Sequence, residues 1–196
     1  LLVEKDYNVA FLAAKHIDEY NEQRRDIDKQ MTDEANQIVE KLENQRHRSS
    51  IVLYDESWKK GVIGIVASRL TEIYFRPTVV LTRDGEFATG SARSVAGFDV
   101  YSAIKSCRDL LINFGGHNYA CGLTMKWKDV NEFRRRFQNY VEEHIKPTQT
   151  EASLDVDAVI DFHDISKRFY HDLKRFAPFG PGNVKPNFCT HNVYDF

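Results

Sequence analysis

Three cysteines in 196 residues, Cys107, Cys121 and Cys189, are odd in number, far apart and never spaced as C-x-x-C. That fits a reducing, cytoplasmic compartment better than a disulfide framework. No run approaches 18 apolar residues, which excludes a membrane-spanning helix and any membrane partner of that kind. The start, LLVEKDYNVAFLAAKHIDEY, has neither a basic leader nor a cleavage site, and no initiating Met precedes it. The chain therefore reads as a piece of something longer. A strong charge of one sign is also missing: the formal net charge is −2, which argues against a protein that wraps nucleic acid by bulk electrostatics. The seven histidines are scattered, with no His pair at i, i+4 around an acid, and there is no P-loop or nucleophile elbow. By themselves the residues offer no catalytic centre and no metal site.

What is present is ample core material, 42% hydrophobic, with the charge unevenly spread. Residues 51–150 carry 14 basic and 11 acidic side chains, whereas both flanks are net acidic. From Val9 to Arg46 there is neither Pro nor Gly, and Ile27, Met31, Ala35, Ile38 and Leu42 recur at helical spacing. This predicts one long helix joining two domains, with a coiled-coil dimer as the competing reading. The grammar then alternates. SSIVLYD predicts a strand, GVIGIVASRLTEIYF a helix, PTVVLT a strand, and RDGEFATGSARS a turn with a returning strand. FDVYSAIKSCRDLL predicts a helix capped by Asp99, CGLTMKW a strand, and KDVNEFRRRFQNYVEEHI an amphipathic helix opened by Asp129. The fold class expected is α/β: a compact domain with a mixed sheet and flanking helices at 49–147, preceded by a long linker helix at 1–48. KPTQTEAS predicts a linker, RFAPFGPGNVKPNF a fixed bend, and HNVYDF a strand, within a third segment at 148–196.

Three stretches could carry chemistry. In KKGVIGIVASRL, Lys59 and Lys60 precede Gly61 at the expected start of an apolar helix, where unpaired N–H groups would favour a phosphate; tight packing of the helix on a sheet is the alternative. In TGSARSVAGFD, strand alternation puts Ser91 and Arg93 on one face and Gly90, Ala92 and Ser94 on the other. Arg93 offers a planar fork of donors to a phosphate, and serine hydroxyls would complete the shell. In LLINFGGHNYACGLTM, Gly115 and Gly116 with His117 read either as a turn needing positive φ or as a loop that lets an anion approach backbone N–H groups beside the imidazole.

Taken in order, GVIGIVASRL, PTVVL, GSARSVAGFD, FGGHNYACGLTM and APFGPGNVKPNF resemble the RecJ single-strand-specific exonucleases of the DHH phosphoesterase superfamily, over most of residues 15–196. The first four motifs are similar to that family's DHHA1 domain and the fifth to the entry of its oligonucleotide-binding barrel. The resemblance implies a metal centre of Mn or Mg in a separate domain of the intact enzyme, whose Asp-His-His motif does not occur in these residues, and no metal held here. It implies that Ser91 and Arg93 grip a phosphate near a 5′ end while Gly115, Gly116 and His117 hold the nucleotide being cleaved. Asn21 and Arg24, on the long helix, match an N-x-x-R feature of the family. Lys59 stands where relatives often have His, Ala92 where Gly is common and Cys121 where Ala is usual. Phe114 stands where the superfamily's small-nucleotide phosphodiesterases have a third glycine, and so points to the RecJ branch.

The function implied is the nucleic-acid-gripping portion of a 5′-to-3′ single-stranded-DNA exonuclease, inactive without its metal domain. Its partners would be single-stranded DNA and a helicase or single-strand-binding protein. An oligonucleotide or cyclic-dinucleotide phosphodiesterase of the same superfamily, and a non-catalytic nucleic-acid-binding accessory domain, are the alternatives.

Overall fold

The computed structural model describes residues 3–41, 49–152 and 154–194. The chain divides into two compact units, residues 1–151 and 152–196. No helix among the described residues is long and apolar enough to cross a membrane.

The first unit is built on a five-stranded mixed sheet in the order β1-β2-β3-β5-β4. The strands are β1 (Ile51–Tyr54), β2 (Thr78–Asp84), β3 (Phe87–Arg93), β4 (Leu111–His117) and β5 (Ala120–Lys126). Helix α2 (Ile63–Tyr74) carries the chain from β1 to the parallel β2. It ends where Phe75 turns left-handed at φ 51° and donates its N–H to Thr71 O, with Pro77 close behind. All other pairings are antiparallel, and Gly85 at φ 62° closes the β2–β3 turn.

Strand alternation splits the core into two layers. Val79 and Leu81 of β2 and Ala88 and Ala92 of β3 join a cluster covered by α3 (Val100–Lys105) and α4 (Val130–His144). Helix α4 buries Val130, Phe133, Phe137 and Val141 at spacings of three and four, one stripe of an amphipathic helix. Val80, Ile51 and Leu53 face the other way, against Val66, Ala67 and Leu70 of α2. Behind α2 lies α1 (Tyr7–Lys41), which contributes Met31, Ala35 and Val39. The α1–α2 contact is pinned by Asp28, whose carboxylate accepts from Arg69 Nη2 at 2.7 Å and Thr32 Oγ1 at 3.3 Å.

Asp99 caps α3 as the sequence predicts, accepting from Ser102 N. Asp129 does not cap α4: it sits in helical geometry and makes no capping bond, because a short 3-10 turn over Trp127–Asp129 leads directly into the helix. Leu42, Arg46 and the end of the expected long helix lie outside the described residues.

In the second unit, β6 (Ala158–Val159) pairs in parallel with β7 (Phe188–Cys189). Helix α5 (Lys167–Lys174) starts where Ser166 Oγ accepts from Phe169 N at 3.1 Å. The bend in RFAPFGPGNVKPNF is tied by Asn183, whose amide donates to Phe176 O at 2.8 Å and Pro178 O at 2.9 Å. HNVYDF does not form the predicted strand over its described residues, 191–194, where no neighbouring strand is paired with it. None of the described residues in this unit is fully buried.

Burial raises the Cys107 and Cys121 thiol pKa values, whereas Cys189 is partly exposed. Under native conditions at neutral pH, a thiol reagent is therefore expected to modify one cysteine per chain, at Cys189, and all three after denaturation. Rapid native labelling of Cys107 or Cys121, read by peptide mass, would contradict the core described above.

Candidate nucleic-acid interface

Helix α2 lies over β1, β2 and β3, and leaves β5 and β4 bare on its side of the sheet, where Asn113, Gly115, His117 and Gly122 are all exposed. The pairing register aligns this open face into cross-strand rows. Arg93, Ala120 and His117 form the first, Ser91, Gly122 and Gly115 the second, and Thr89, Thr124 and Asn113 the third. With strands about 4.8 Å apart, Arg93 and His117 stand roughly 10 Å apart at Cα, on one face, with only the methyl of Ala120 between them. The middle row has almost no side chains, so the backbone itself is the floor. Along it runs a cavity of about 390 Å³ lined by residues of the second and third rows and by Lys60.

Arg93 is placed with care. Its Nε donates to Ser68 Oγ at 3.1 Å, and Nη1 donates to Ser91 Oγ and Ala92 O, both at 2.8 Å. A Cβ on Gly64 would come within 3.0 Å of Nη2, so this helix position makes room for the guanidinium. Partial burial pulls the Arg93 pKa below the ordinary arginine value. Among the described residues no carboxylate pairs with it. Arg93 is thus a partly desolvated cation held by neutral groups.

His117 accepts from Tyr119 N through Nδ1 at 3.3 Å. In the neutral ring that places the proton on Nε2, which becomes a donor. The two ends of the first row are laced together: Ser94 N donates to Tyr119 O at 3.0 Å, and Val100 N to Asn118 O at 3.1 Å. Gln149 holds the same loop, donating to Ala96 O at 3.3 Å.

The remaining sequence-predicted residues fall elsewhere. Ser94 spends its hydroxyl on Phe98 O at 2.7 Å, closing the loop after β3. Lys60 pairs with Asp84 at 2.8 Å across the cavity's rim, and α2 begins at Ile63, two residues beyond Gly61, so Lys59 and Lys60 do not flank the first turn directly. Asn21 and Arg24 precede the packed half of α1 and make no hydrogen bond or ion pair with Ser91, Arg93 or His117 among the described residues. Gly64 and Ser68 also bear on the site, and in the sequence their i, i+4 spacing on α2 is the only local sign that something packs against them.

The glycine pair lies inside β4, not in the turn, which falls at residues 118 and 119. The two glycines have different reasons to be there. A Cβ on Gly116, at φ 150°, would strike Ala120 O and Cys121 Cα of the neighbouring strand, whereas one on Gly115 would meet nothing within 4 Å. Gly116→Ala is therefore expected to cost about 2 kcal/mol of stability. Gly115→Val is expected to leave unfolding within about 0.5 kcal/mol while filling the floor of the groove and weakening anion binding. Urea titration with a parallel binding assay separates the two; equal stabilities would refute the distinction.

The groove offers no carboxylate and so does not suit a divalent cation. Among the described residues, one exposed cluster has metal-type ligands, Asp161, His163 and Asp164, in the second unit. Its carboxylates also serve a local turn, Asp164 Oδ2 accepting from Asp161 N at 3.1 Å.

The mixed sheet, whose open face presents Ser-x-Arg on one strand and Gly-Gly-His on another, is that of a DHHA1 domain. The DHHA1 family model matches residues 47–143, and the RecJ OB domain model matches residues 156–195. The chain belongs to the RecJ family. It is 36% identical over 195 residues to the single-stranded-DNA-specific exonuclease RecJ of Bacillus subtilis, covering 98% of this chain and 25% of that protein. Crystal structures of Thermus thermophilus RecJ match as well. The Mn²⁺ complex has a TM-score of 0.80 at 26% identity, covering 96% of this chain and 27% of that one. The Mg²⁺ complex has a TM-score of 0.82 at 24% identity, covering 94% and 28%, and so speaks for the fold alone. The chain thus spans about a quarter of the length of these relatives.

Proposed function

We propose that the open face of the first unit holds single-stranded DNA for a RecJ-type 5′-to-3′ exonuclease. Arg93 with Ser91 grips a phosphate near the 5′ end, and His117 Nε2 and the Gly115 backbone hold the adjoining nucleotide. The observation that carries this reading is Arg93: half-buried, fixed by Ser68 and Ser91, without a carboxylate partner among the described residues, and set beside the glycine floor of Gly115 and Gly122. In the intact protein a Mn or Mg centre outside these residues supplies the activated water for phosphodiester hydrolysis. The groove supplies position and charge complementarity only. A cytoplasmic setting, and association with a helicase or single-strand-binding protein, belong to the same reading.

The test uses the full-length protein with and without chelator. Removing the metal is expected to abolish cleavage yet leave binding of single-stranded DNA, with affinity falling as salt rises through release of counterions. The 196-residue chain with Mn²⁺ is expected not to cleave DNA. Robust cleavage by it would overturn the assignment of a purely gripping role.

A further inference from the structure

The open face does not stop at Thr89. One row beyond, the register sets Asp84, Phe87 and Lys126 side by side across β2, β3 and β5. Strand alternation places Phe87 on the same face as Thr89, Ser91 and Arg93. We propose, resting on the reading above, that Phe87 and Lys126 form a second subsite for the same single strand: a base stacks on the Phe87 ring while Lys126 meets its phosphate.

Four observations carry this. Phe87 is 41% exposed and lines a cavity with Trp127 and the charged Glu86, Lys126 and Lys128, an aromatic surface set among charges. That mixture suits a nucleotide, whose base wants a π-face and whose backbone wants a cation, better than an apolar protein surface. Next, the basic residues here divide into two kinds: Lys60 and Arg83 are neutralised by Asp84 and Glu56, whereas Lys126 and Lys128 have no ion pair among the described residues. With Glu86 the one acid lining the cavity of about 270 Å³ at this end, the local balance favours a polyanion. Trp127, the neighbouring aromatic, carries the Arg83 guanidinium 5.2 Å from its ring centroid, whereas no cation or ring stacks on Phe87 among the described residues. Finally, the cavity beside Gly115, Gly122, Thr89 and Thr124 lies between the two ends of the open face. Phe87 is six residues from Arg93 along β3, about 20 Å at strand rise, so the second subsite would be reached only by a strand of several nucleotides.

The test measures affinity of the full-length protein, under chelator so that nothing is cut, for 5′-phosphorylated oligothymidylates of two and of eight nucleotides. Phe87→Ala is expected to weaken the longer ligand about tenfold, within the range for loss of one base–aromatic stack, and to leave the shorter within twofold. Phe87→Tyr, which keeps a ring, is expected to bind both as the unaltered protein does. Lys126→Ala is expected to lower the salt dependence of the longer ligand by about one phosphate contact. No loss on the longer ligand, or an equal loss on both, overturns the second subsite. Arg93→Ala serves as the control for the underlying reading: it should weaken both lengths, and if it weakens neither, that reading fails whatever Phe87 does.

Discussion

Arg93→Ala is expected to weaken binding of 5′-phosphorylated single-stranded DNA by roughly 2–3 kcal/mol, or about 30–150-fold, and to erase any preference for a 5′-phosphate over a 5′-hydroxyl. The size follows from burial. A hydrogen bond to a charged group is worth more when the donor has already shed part of its water, and burial does this to the Arg93 guanidinium, which lowers its pKa. Its Nε and Nη1 are occupied by Ser68, Ser91 and Ala92, which fixes the plane of the fork before any ligand arrives. Arg93→Lys should recover little of the loss, because an ammonium cannot hold Ser68 and Ser91 while presenting a second donor. Folding should barely change, since Ser68, Ser91 and Ala92 are neutral partners and the vacated space opens to solvent. Equal affinity for phosphorylated and unphosphorylated strands in the unaltered protein would show that Arg93 is not a terminal-phosphate grip.

Phe137→Ala is expected to cost about 3–5 kcal/mol of folding stability, the largest effect of any single change considered, against a typical total of roughly 5–15 kcal/mol. The side chain is wholly buried and stacks on Phe133 with ring centroids 5.6 Å apart. Its loss removes both apolar burial and a ring contact, and it leaves a void between α4 and the sheet that strands paired on both sides cannot close. Equilibrium urea unfolding should show the midpoint falling at nearly constant slope. Because α4 lies on the opposite side of the sheet from the groove, the molecules that remain folded should bind single-stranded DNA normally. A stability loss under about 1 kcal/mol would mean that α4 is not packed as described.

These two residues also mark what the sequence could and could not show. Phe137 belongs to a stripe at helical spacing, and such periodicity is a local property; α4, the β2–β3 hairpin and the Asp99 cap were all legible for that reason. The shared face of Ser91 and Arg93 was legible too, since alternation along one strand is local. That Arg93 and His117 belong to one row is not local: it depends on β5 lying between β3 and β4 with Ala120 opposite both. The same dependence hid Gly64, whose meaning comes from a guanidinium one layer away. Glycines inside a strand read as a turn because Gly weakens strand propensity, and only the closeness of Ala120 explains why Gly116 must be one.

Strand β4 is the outer strand of its sheet, and from Leu111 to Gly116 it carries no charged side chain and no proline. Natural proteins commonly guard such a margin with lysine, a kink or a covering helix, because an unguarded one accepts another extended chain by backbone pairing. In concentrated solution such pairing along β4 is expected to drive self-association of the 196-residue chain.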